Sequence, residues 1–243
     1  MLEGLFSAAA GMSAQEQQLN AIGSDLANLN TRGYKSERVA FGDLLYNNVQ
    51  QAGSATTAGA GASAQFLGHS HTEGSIRQTG EPLDLAIEGE GYFQVSRPGG
   101  AVALTRNGAF NVDAAGTITT AEGHPLYPPI KLPAGVAASE LRIAADGTVT
   151  AGTRKLGQIK LVTVTSPDHL RGEGGSELAP TAASGPPQPA TAAKVRQGAV
   201  EESNVDVAKE MALMVSTQRN YQLASSAIQT ESQMMSIANQ MRP

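Results

Sequence analysis

Histidine offers the most recognisable chemistry in this sequence, and two of the four histidines stand close together, in His69-Ser70-His71. Two imidazoles at this spacing could bind a zinc ion, which takes three or four protein ligands. The chain has no cysteine, and no pattern around the pair implies a third ligand. His124 and His169 are isolated and are expected at the surface. We therefore expect no metal site and no cofactor.

Catalytic motifs are absent from the sequence. It contains neither a Gly-x-Ser-x-Gly nucleophile elbow nor a glycine-rich phosphate loop followed by lysine. The net charge is -5 and the basic residues form no run, which argues against a nucleic acid or an acidic membrane as partner. No stretch approaches the ~18 apolar residues of a membrane-spanning helix. We expect a protein that is not an enzyme, has no small-molecule substrate and binds other proteins.

The strongest periodic pattern lies in residues 203–241. Apolar side chains recur there every seven residues for about five heptads, which predicts a long helix with a partner helix packed along it. Ser203 is expected to cap the helix, with Asp206 as the acid of a capping box. The predicted packing residues are Val207, Met211, Met214, Tyr221, Ile228 and Met235, with Leu213, Ala227, Met234 and Met241 in a second row. The alternative is a long core helix of an ordinary domain.

The partner helix is predicted at the other end of the same chain, over residues 3–29. Its heptad positions and their companions are Leu5, Met12, Leu19, Ile22, Leu26 and Leu29. Gly11 and Gly23 lie inside it and each costs about 1 kcal/mol of helix propensity. This helix should therefore be marginal alone and should become ordered when it is packed.

Changes of composition divide the chain into five segments. Residues 1–35 and 200–243 hold the two helices, and residues 36–71 are predicted as an extended arm and flexible linker, rich in small residues. Residues 72–170 contain short apolar runs separated by glycine turns, which predicts an all-β domain. Residues 171–199, rich in Gly, Pro and Ala, are predicted as a return linker. The fold class is thus α+β: discontinuous, coiled-coil-like terminal helices form an axial core, and an all-β domain is inserted between them.

Three separate stretches, in the expected order, resemble the axial rod and hook proteins of the bacterial flagellum. They are residues 10–35, residues 83–110, and residues 198–205 with the helix that follows. Within the family, residues 41–46 (FGDLLY) are most similar to subunits of the distal rod. The family-motif residues of this chain are Asn28, Asn30, Thr31, Gly33, Asp84, Gly89, Gly91, Phe93, Arg106, Gly108, Phe110, Ser203, Asn204, Val205, Gln218 and Arg219.

Physical roles can be assigned to some of these motif residues. The short polar side chains near the helix ends can satisfy backbone groups there. Gly89 and Gly91 would allow a bulge or a close approach between strands. Arg106 and Asp84 are expected to form an ion pair, which as a lone surface pair would contribute only about 0 to 1 kcal/mol.

The resemblance implies a structural subunit of the flagellar basal body that is exported without a cleaved signal peptide. Its implied partners are copies of itself in a helical polymer, other rod and hook subunits, the flagellar type III export apparatus and the rings that surround the rod. The implied role is to form the distal rod, the drive shaft that carries motor torque to the hook. Two alternatives stay open: a hook or proximal-rod subunit of the same family, and a nonflagellar coiled-coil assembly protein such as a phage tail component.

Overall fold

The computed structural model describes residues 2–43, 47–51, 54–58 and 61–240 of the chain. Met241 of the predicted second apolar row and residues 44–46 of the rod-like stretch lie outside the described residues. Along the chain, one helix precedes and one follows a mostly β middle region, which confirms the predicted α+β class with an inserted β domain. Over the described residues, neither helix has an apolar stretch long enough to cross a membrane.

The first helix, α1, spans Leu2–Ala27. It ends in a turn in which the Thr31 backbone N–H donates to the Asn28 carbonyl oxygen at 3.0 Å, and the Thr31 hydroxyl donates to Asn28 Oδ1 at 3.1 Å. The second helix, α2, spans Val207–Gln240. Its N-cap is Asp206, whose Oδ1 accepts from the N–H groups of Ala208 and Lys209 at 3.0 and 3.2 Å. The prediction that Ser203 caps α2 is therefore wrong, because Asp206 occupies the position that reaches these orphan donors.

Nineteen strands lie between the helices over the described residues. Their bounds are β1 Glu37–Asp43, β2 Asn47–Gln51, β3 Ser54–Ala58, β4 Ala62–His69, β5 Ile76–Gln78, β6 Leu85–Glu88, β7 Tyr92–Ser96, β8 Val102–Thr105, β9 Asn111–Val112, β10 Ile118–Thr119, β11 Leu141–Ile143, β12 Thr148–Ala151, β13 Arg154–Gln158, β14 Leu161–Thr163, β15 Arg171–Gly174, β16 Glu177–Ala179, β17 Gln188–Pro189, β18 Lys194–Gln197 and β19 Ala199–Glu201.

The chain divides into two compact units. The helical unit comprises the described parts of Met1–Leu26, Glu37–Leu67 and Asp206–Pro243, and the β unit comprises Ala27–Ser36 and Gly68–Val205. The helical unit therefore contains α2, nearly all of α1, strand β1 with most of its partner β4, and the strand pair β2–β3. Each unit is built from parts of the chain that are far apart in sequence.

Within the helical unit, α1 and α2 run antiparallel. A Cβ atom on Gly4 would lie 3.1 Å from Glu231 Oε2, so the start of α1 lies near the second half of α2. At the other end, the charge of Asp25 acts on Glu210 near the start of α2: burial is the main cause that raises the pKa of Glu210, and Asp25 adds to it. The two pairs of positions are the same number of residues apart on both helices, which is the pattern of two helices lying side by side.

The β unit is organised around a six-stranded sheet with the order β15-β16-β8-β7-β14-β17. A three-stranded sheet, β11-β12-β13, and the pairs β18–β6 and β19–β5 complete its main strand pairings. Its largest core cluster includes Leu85, Ile87, Phe93, Val95 and Phe110. Phe93 and Phe110 pack edge to face with ring centroids 5.2 Å apart, which is a favoured aromatic geometry.

Two predicted linkers contain paired strands. In residues 36–71, β1 pairs with β4 and β2 pairs with β3; in residues 171–199, β16 pairs with β8 and β18 pairs with β6. The flexible-linker prediction is therefore wrong for these residues. Enrichment in small side chains does not by itself indicate a flexible segment, because strand pairing depends on backbone hydrogen bonds and on a few buried positions such as Val195. The β unit extends beyond the predicted 72–170 accordingly.

Candidate functional site

A buried ion cluster lies in the β unit, where three distant segments of the chain meet. Lys35 Nζ donates to Glu201 Oε1 at 2.5 Å and to the Thr72 carbonyl oxygen at 2.7 Å. The Gly74 backbone N–H donates to the same Glu201 oxygen at 2.9 Å. Arg106 Nη1 donates to Glu201 Oε2 at 3.1 Å. One carboxylate, fully buried, therefore compensates two buried cations.

Arg106 makes two further contacts that hold it in this cluster. Its Nη2 donates to the Gly89 carbonyl oxygen at 2.8 Å, and its guanidinium lies over the Tyr92 ring at 5.5 Å from the ring centroid. The predicted pair of Arg106 with Asp84 is therefore wrong. Asp84 Oδ1 lies instead 3.7 Å from Arg32 Nη1, and the carboxylate that pairs with Arg106 is that of Glu201.

Burial sets the acid–base behaviour around the cluster. It lowers the pKa of Lys35, although the neighbouring Glu201 opposes that effect. Burial also raises the pKa of Tyr92 to about 12. The Tyr92 hydroxyl is hydrogen-bonded to His71 Nδ1 at 2.7 Å, and burial lowers the pKa of His71, with Asp168 as the main opposing charge.

Glycine is required where the backbones of the β unit approach one another. Gly33 has φ +66°, and a Cβ atom there would lie 2.3 Å from the Asn107 backbone nitrogen. A Cβ atom on Gly108 would lie 1.6 Å from the Leu85 carbonyl oxygen. Gly89, at φ +93°, precedes β7, and a Cβ on Gly91 would touch Ala190 and Ala193 at 3.3 Å. These motif glycines fix the strand packing.

The motif residues before α2 connect the ends of the β unit. Asn204 Oδ1 accepts from the Ser36 N–H at 2.8 Å, and Asn204 Nδ2 donates to the Ser70 carbonyl oxygen at 3.0 Å. The Ser203 hydroxyl oxygen accepts from the Val205 N–H at 3.3 Å, and Val205 is buried. The Asn30 side chain is exposed. Apart from Asn30, these motif residues support the fold locally.

Lys35, Glu201, Tyr92 and His71 were missing from the predicted site. Lys35 and Glu201 both lie in stretches that carry the family resemblance, but nothing in their spacing shows that residues 166 positions apart touch. The sequence offers one signal: a lysine stands before the inserted domain and a glutamate after it, and each is two residues from a motif residue. Pairing them requires the tertiary structure, in which β19 carries Glu201 to the Lys35 side chain.

The predicted heptad positions differ in burial: some are buried or half-buried and others are exposed. On α1, Ile22 is buried, at 1% exposure, and Leu5, Met12, Leu19 and Leu26 are half-buried, as is Leu29 in the turn after the helix. The most buried face of α1 is displaced from the predicted row and also contains Ala14, Gln18, Ala21 and Asp25. On α2, Met214, Tyr221, Ile228 and Met235 are half-buried. Val207 and Met211 are exposed, as are the motif residues Gln218 and Arg219.

Exposed apolar side chains are concentrated in the helical unit. Among the described residues, the large apolar side chains that are exposed in the β unit are Val112 and Tyr127. Those in the helical unit are Phe6, Phe41, Phe66, Leu67, Val207, Met211, Leu213, Val215, Leu223, Met234 and Ile237. A helix that is apolar on several faces is normally buried, and large exposed apolar patches mark protein interaction sites.

In the described part of the chain, no group of three or more His, Cys, Asp or Glu side chains that could hold a metal ion converges at the histidine pair. His69 Nδ1 lies 3.2 Å from the Lys35 carbonyl oxygen, and His71 is bound to Tyr92. His124 Nδ1 lies 2.7 Å from Glu177 Oε1, so the prediction that it is an isolated surface residue is wrong. Strand β16 brings Glu177 to it.

We expect acid to destabilise the β unit through His71. Because burial lowers the pKa of His71 below its ordinary value of 6.5, the unfolded chain binds more protons there than the folded chain does. The free energy of unfolding should therefore fall as pH decreases below 6.5, by at most about 1.4 kcal/mol per pH unit.

The measurement is denaturant unfolding at several pH values between 7 and 5 (roughly the window between histidine and carboxylate titration). The variant His71→Gln should lose part of the pH dependence, whereas His169→Gln, at an exposed position, should keep it. An unchanged slope in His71→Gln would contradict the assignment.

Comparisons with known proteins cover the same three parts of the chain. Residues 5–35 match a family model described as flagella basal body rod protein. Residues 86–151 match the flagellar hook protein FlgE/F/G D1 domain, and residues 196–241 match the C-terminal region of the flagellar basal body rod FlgEFG protein. The first match contains all but the first three residues of α1, the last contains α2, and the middle one lies in the β unit.

Full-length relatives are similar over the whole chain. The flagellar basal-body rod protein FlgG of Buchnera aphidicola from Acyrthosiphon pisum is 33% identical over 262 residues, which cover 99% of this chain and 100% of the relative. FlgG of Borreliella burgdorferi is 32% identical, covering 100% and 99%. FlgG of Bacillus subtilis is 33% identical, covering 97% of each.

Proposed function

The chain belongs to the family of flagellar basal-body rod proteins, and from this premise we propose that it forms the distal rod by polymerising through its helical unit. It is a structural subunit of the flagellar basal body, and its family implies assembly with other rod and hook subunits. The helical unit would supply the surface used for assembly. The rod would act as the drive shaft that carries torque to the hook.

The observation that carries this proposal is the distribution of exposed apolar side chains. In the described residues they lie mainly on the helical unit, and on α2 they occur on faces that α1 does not cover. Burying them against neighbouring copies would release about 25 cal/mol for each Å² of apolar surface removed from water. The β unit, whose own core is closed, would stay folded in the monomer and in the polymer.

Two further partners belong to the proposal. The chain would leave the cell through the flagellar type III export apparatus, and rings would surround the finished rod. The two glycines inside α1 support export, since Gly11 and Gly23 lower helix propensity and, in the folded helix, a Cβ on either would meet no atom within 4 Å. Nothing in the packing of α1 therefore requires glycine at these positions. A helix that is marginal alone is easily kept unfolded until it packs in the polymer.

We expect Met211→Glu to prevent rod assembly while the β unit stays folded. Met211 is 57% exposed in the first turns of α2, where a carboxylate is tolerated by the helix dipole. A neighbouring copy would have to bury this charge, which should lower the number of complete rods by more than about tenfold. The measurement is electron microscopy of basal bodies isolated from cells in which the variant replaces the natural chain.

The matched control is Val112→Glu, an equivalent change at an exposed apolar position of the β unit. It should leave rod assembly unchanged. Cells that lack the chain should show missing or truncated rods. Intact rods in those cells would refute the proposed place in the rod, and normal rods with Met211→Glu would refute the proposed assembly surface.

A further inference from the structure

Two oppositely charged residues stand on the outward faces of the paired helices. Glu16 on α1 and Arg219 on α2 are both exposed, and each lies on the side of its helix opposite to the buried face. On α1 the buried face contains Ala14, Ala21 and Ile22. On α2 the covered side contains the buried Thr217. Neither Glu16 nor Arg219 forms an ion pair with another described residue.

The antiparallel pairing places these two residues at the same level of the helix pair. Gly4 lies beside Glu231; Glu16 follows Gly4 by twelve residues, and Arg219 precedes Glu231 by twelve residues. Because both helices rise by about 1.5 Å per residue, the two charged side chains are level with each other. They point away from the shared interface, so they cannot meet within one subunit.

Each charge is flanked by apolar side chains at helical spacing. Arg219 lies four residues after Val215 and four before Leu223, and both are exposed. Glu16 lies four residues after Met12 and three before Leu19, and both are half-buried. Residues three and four apart on a helix share one face. An arginine among apolar side chains has the composition of an interface hot spot.

We propose that, in the polymer, Arg219 of one copy pairs with Glu16 of the neighbouring copy, with the flanking apolar residues closing around the ion pair. The occupant of the outward α2 face is thus the outward α1 face of a second copy. The charges are complementary and the two faces differ, so the contact is heterologous and can repeat from copy to copy, as an open polymer requires. This inference rests on the proposed function and names the contact that sets the lateral register of the subunits.

The first test is a charge exchange in cells that carry the variant in place of the natural chain. Glu16→Arg and Arg219→Glu should each lower the number of complete rods at least about tenfold, because like charges would face each other in a packed contact. The double variant, Glu16→Arg with Arg219→Glu, should restore assembly. Arg142→Glu, an exposed charge reversal in the β unit, is the control and should assemble normally.

The second test is cross-linking, for which the natural chain is suitable because it contains no cysteine. A chain carrying both Glu16→Cys and Arg219→Cys, treated with a short bismaleimide in isolated basal bodies, should give a ladder of covalent oligomers. Each single cysteine variant should give no ladder. The same gel shows whether the chain is present in the rod, which tests the proposed function separately.

The inference fails if the charge reversals assemble like the natural chain, if the double variant is as poor as the single ones, or if the double-cysteine chain enters the rod without forming a ladder. In all three cases the chain would still be a rod subunit, and the outward helix faces would contact something other than each other. Absence of the chain from the basal body would refute the proposed function itself.

Discussion

Replacing Glu201 by glutamine is expected to lower the free energy of unfolding of the β unit by about 3 to 5 kcal/mol, the usual effect of removing one partner from a buried ion cluster. The Glu201 side chain is fully buried and compensates both Lys35 and Arg106. Glutamine keeps the size and one acceptor oxygen, so the loss would come mainly from the two buried charges left without a carboxylate. The measurement is denaturant unfolding followed by circular dichroism.

The matched control is the next residue, Glu202. Its carboxylate pairs with Arg77 at 2.7 Å, but both side chains are largely exposed, at 42% and 53%, so Glu202→Gln should cost only about 0 to 1 kcal/mol. A second variant separates charge from packing: Lys35→Met combined with Glu201→Gln should be less destabilised than the sum of the two single changes. Equal effects of Glu201→Gln and Glu202→Gln would show that the buried cluster does not stabilise the β unit.

Gly108→Ala is expected to destabilise the β unit by about 3 kcal/mol or more, because overpacking against backbone cannot be relieved by moving a side chain. A Cβ atom at this position would lie 1.6 Å from the Leu85 carbonyl oxygen and 3.2 Å from Phe93 Cε2. The Gly108 carbonyl oxygen also accepts from the Leu85 N–H at 2.9 Å, so the two backbone segments cannot separate without losing a hydrogen bond. The measurement is the thermal and denaturant stability of the full chain.

Gly23→Ala provides the opposite case. Gly23 lies near the C-terminal end of α1 and a Cβ there would meet no atom within 4 Å, so alanine should stabilise the helix by about 1 kcal/mol. A free energy of unfolding for Gly108→Ala within about 0.5 kcal/mol of that of the natural chain, the effect of an ordinary surface substitution, would contradict the close approach between β6 and the segment after β8.

Much of the fold could be predicted from local patterns. The recurrence of apolar side chains every seven residues is a local pattern, and it predicts both terminal helices. The end of α1 lies within a few residues of the predicted position. Alternating apolar runs between glycine turns likewise indicated the β insert. The return segment was predicted incorrectly because Ala and Pro enrichment says little about backbone pairing: β18 and β19 are ordered by their partners β6 and β5.

The candidate site was less accessible to sequence reasoning. Arg106 was recognised as a motif residue, but its carboxylate partner was predicted to be Asp84, which is nearer in sequence than Glu201. Choosing between them requires knowing that β19 brings Glu201 beside Lys35 and the Arg106 side chain. Likewise, the period of the helices does not show which face is buried, so Met211 and Ile22 received the same prediction and have opposite exposures.

The sequence by itself determined the class of this protein: the heptad rows, the glycine positions and the three motif stretches are local features, and each specifies an element or a family without knowledge of the others. The tertiary structure alone decided which residues meet. Glu201 lies between two cations, α1 lies antiparallel to α2, and Glu16 comes level with Arg219 because strand register and helix packing join parts of the chain that are far apart in sequence. Such long-range contacts depend on the balance of burial and backbone pairing over the whole chain, which no short stretch of sequence contains.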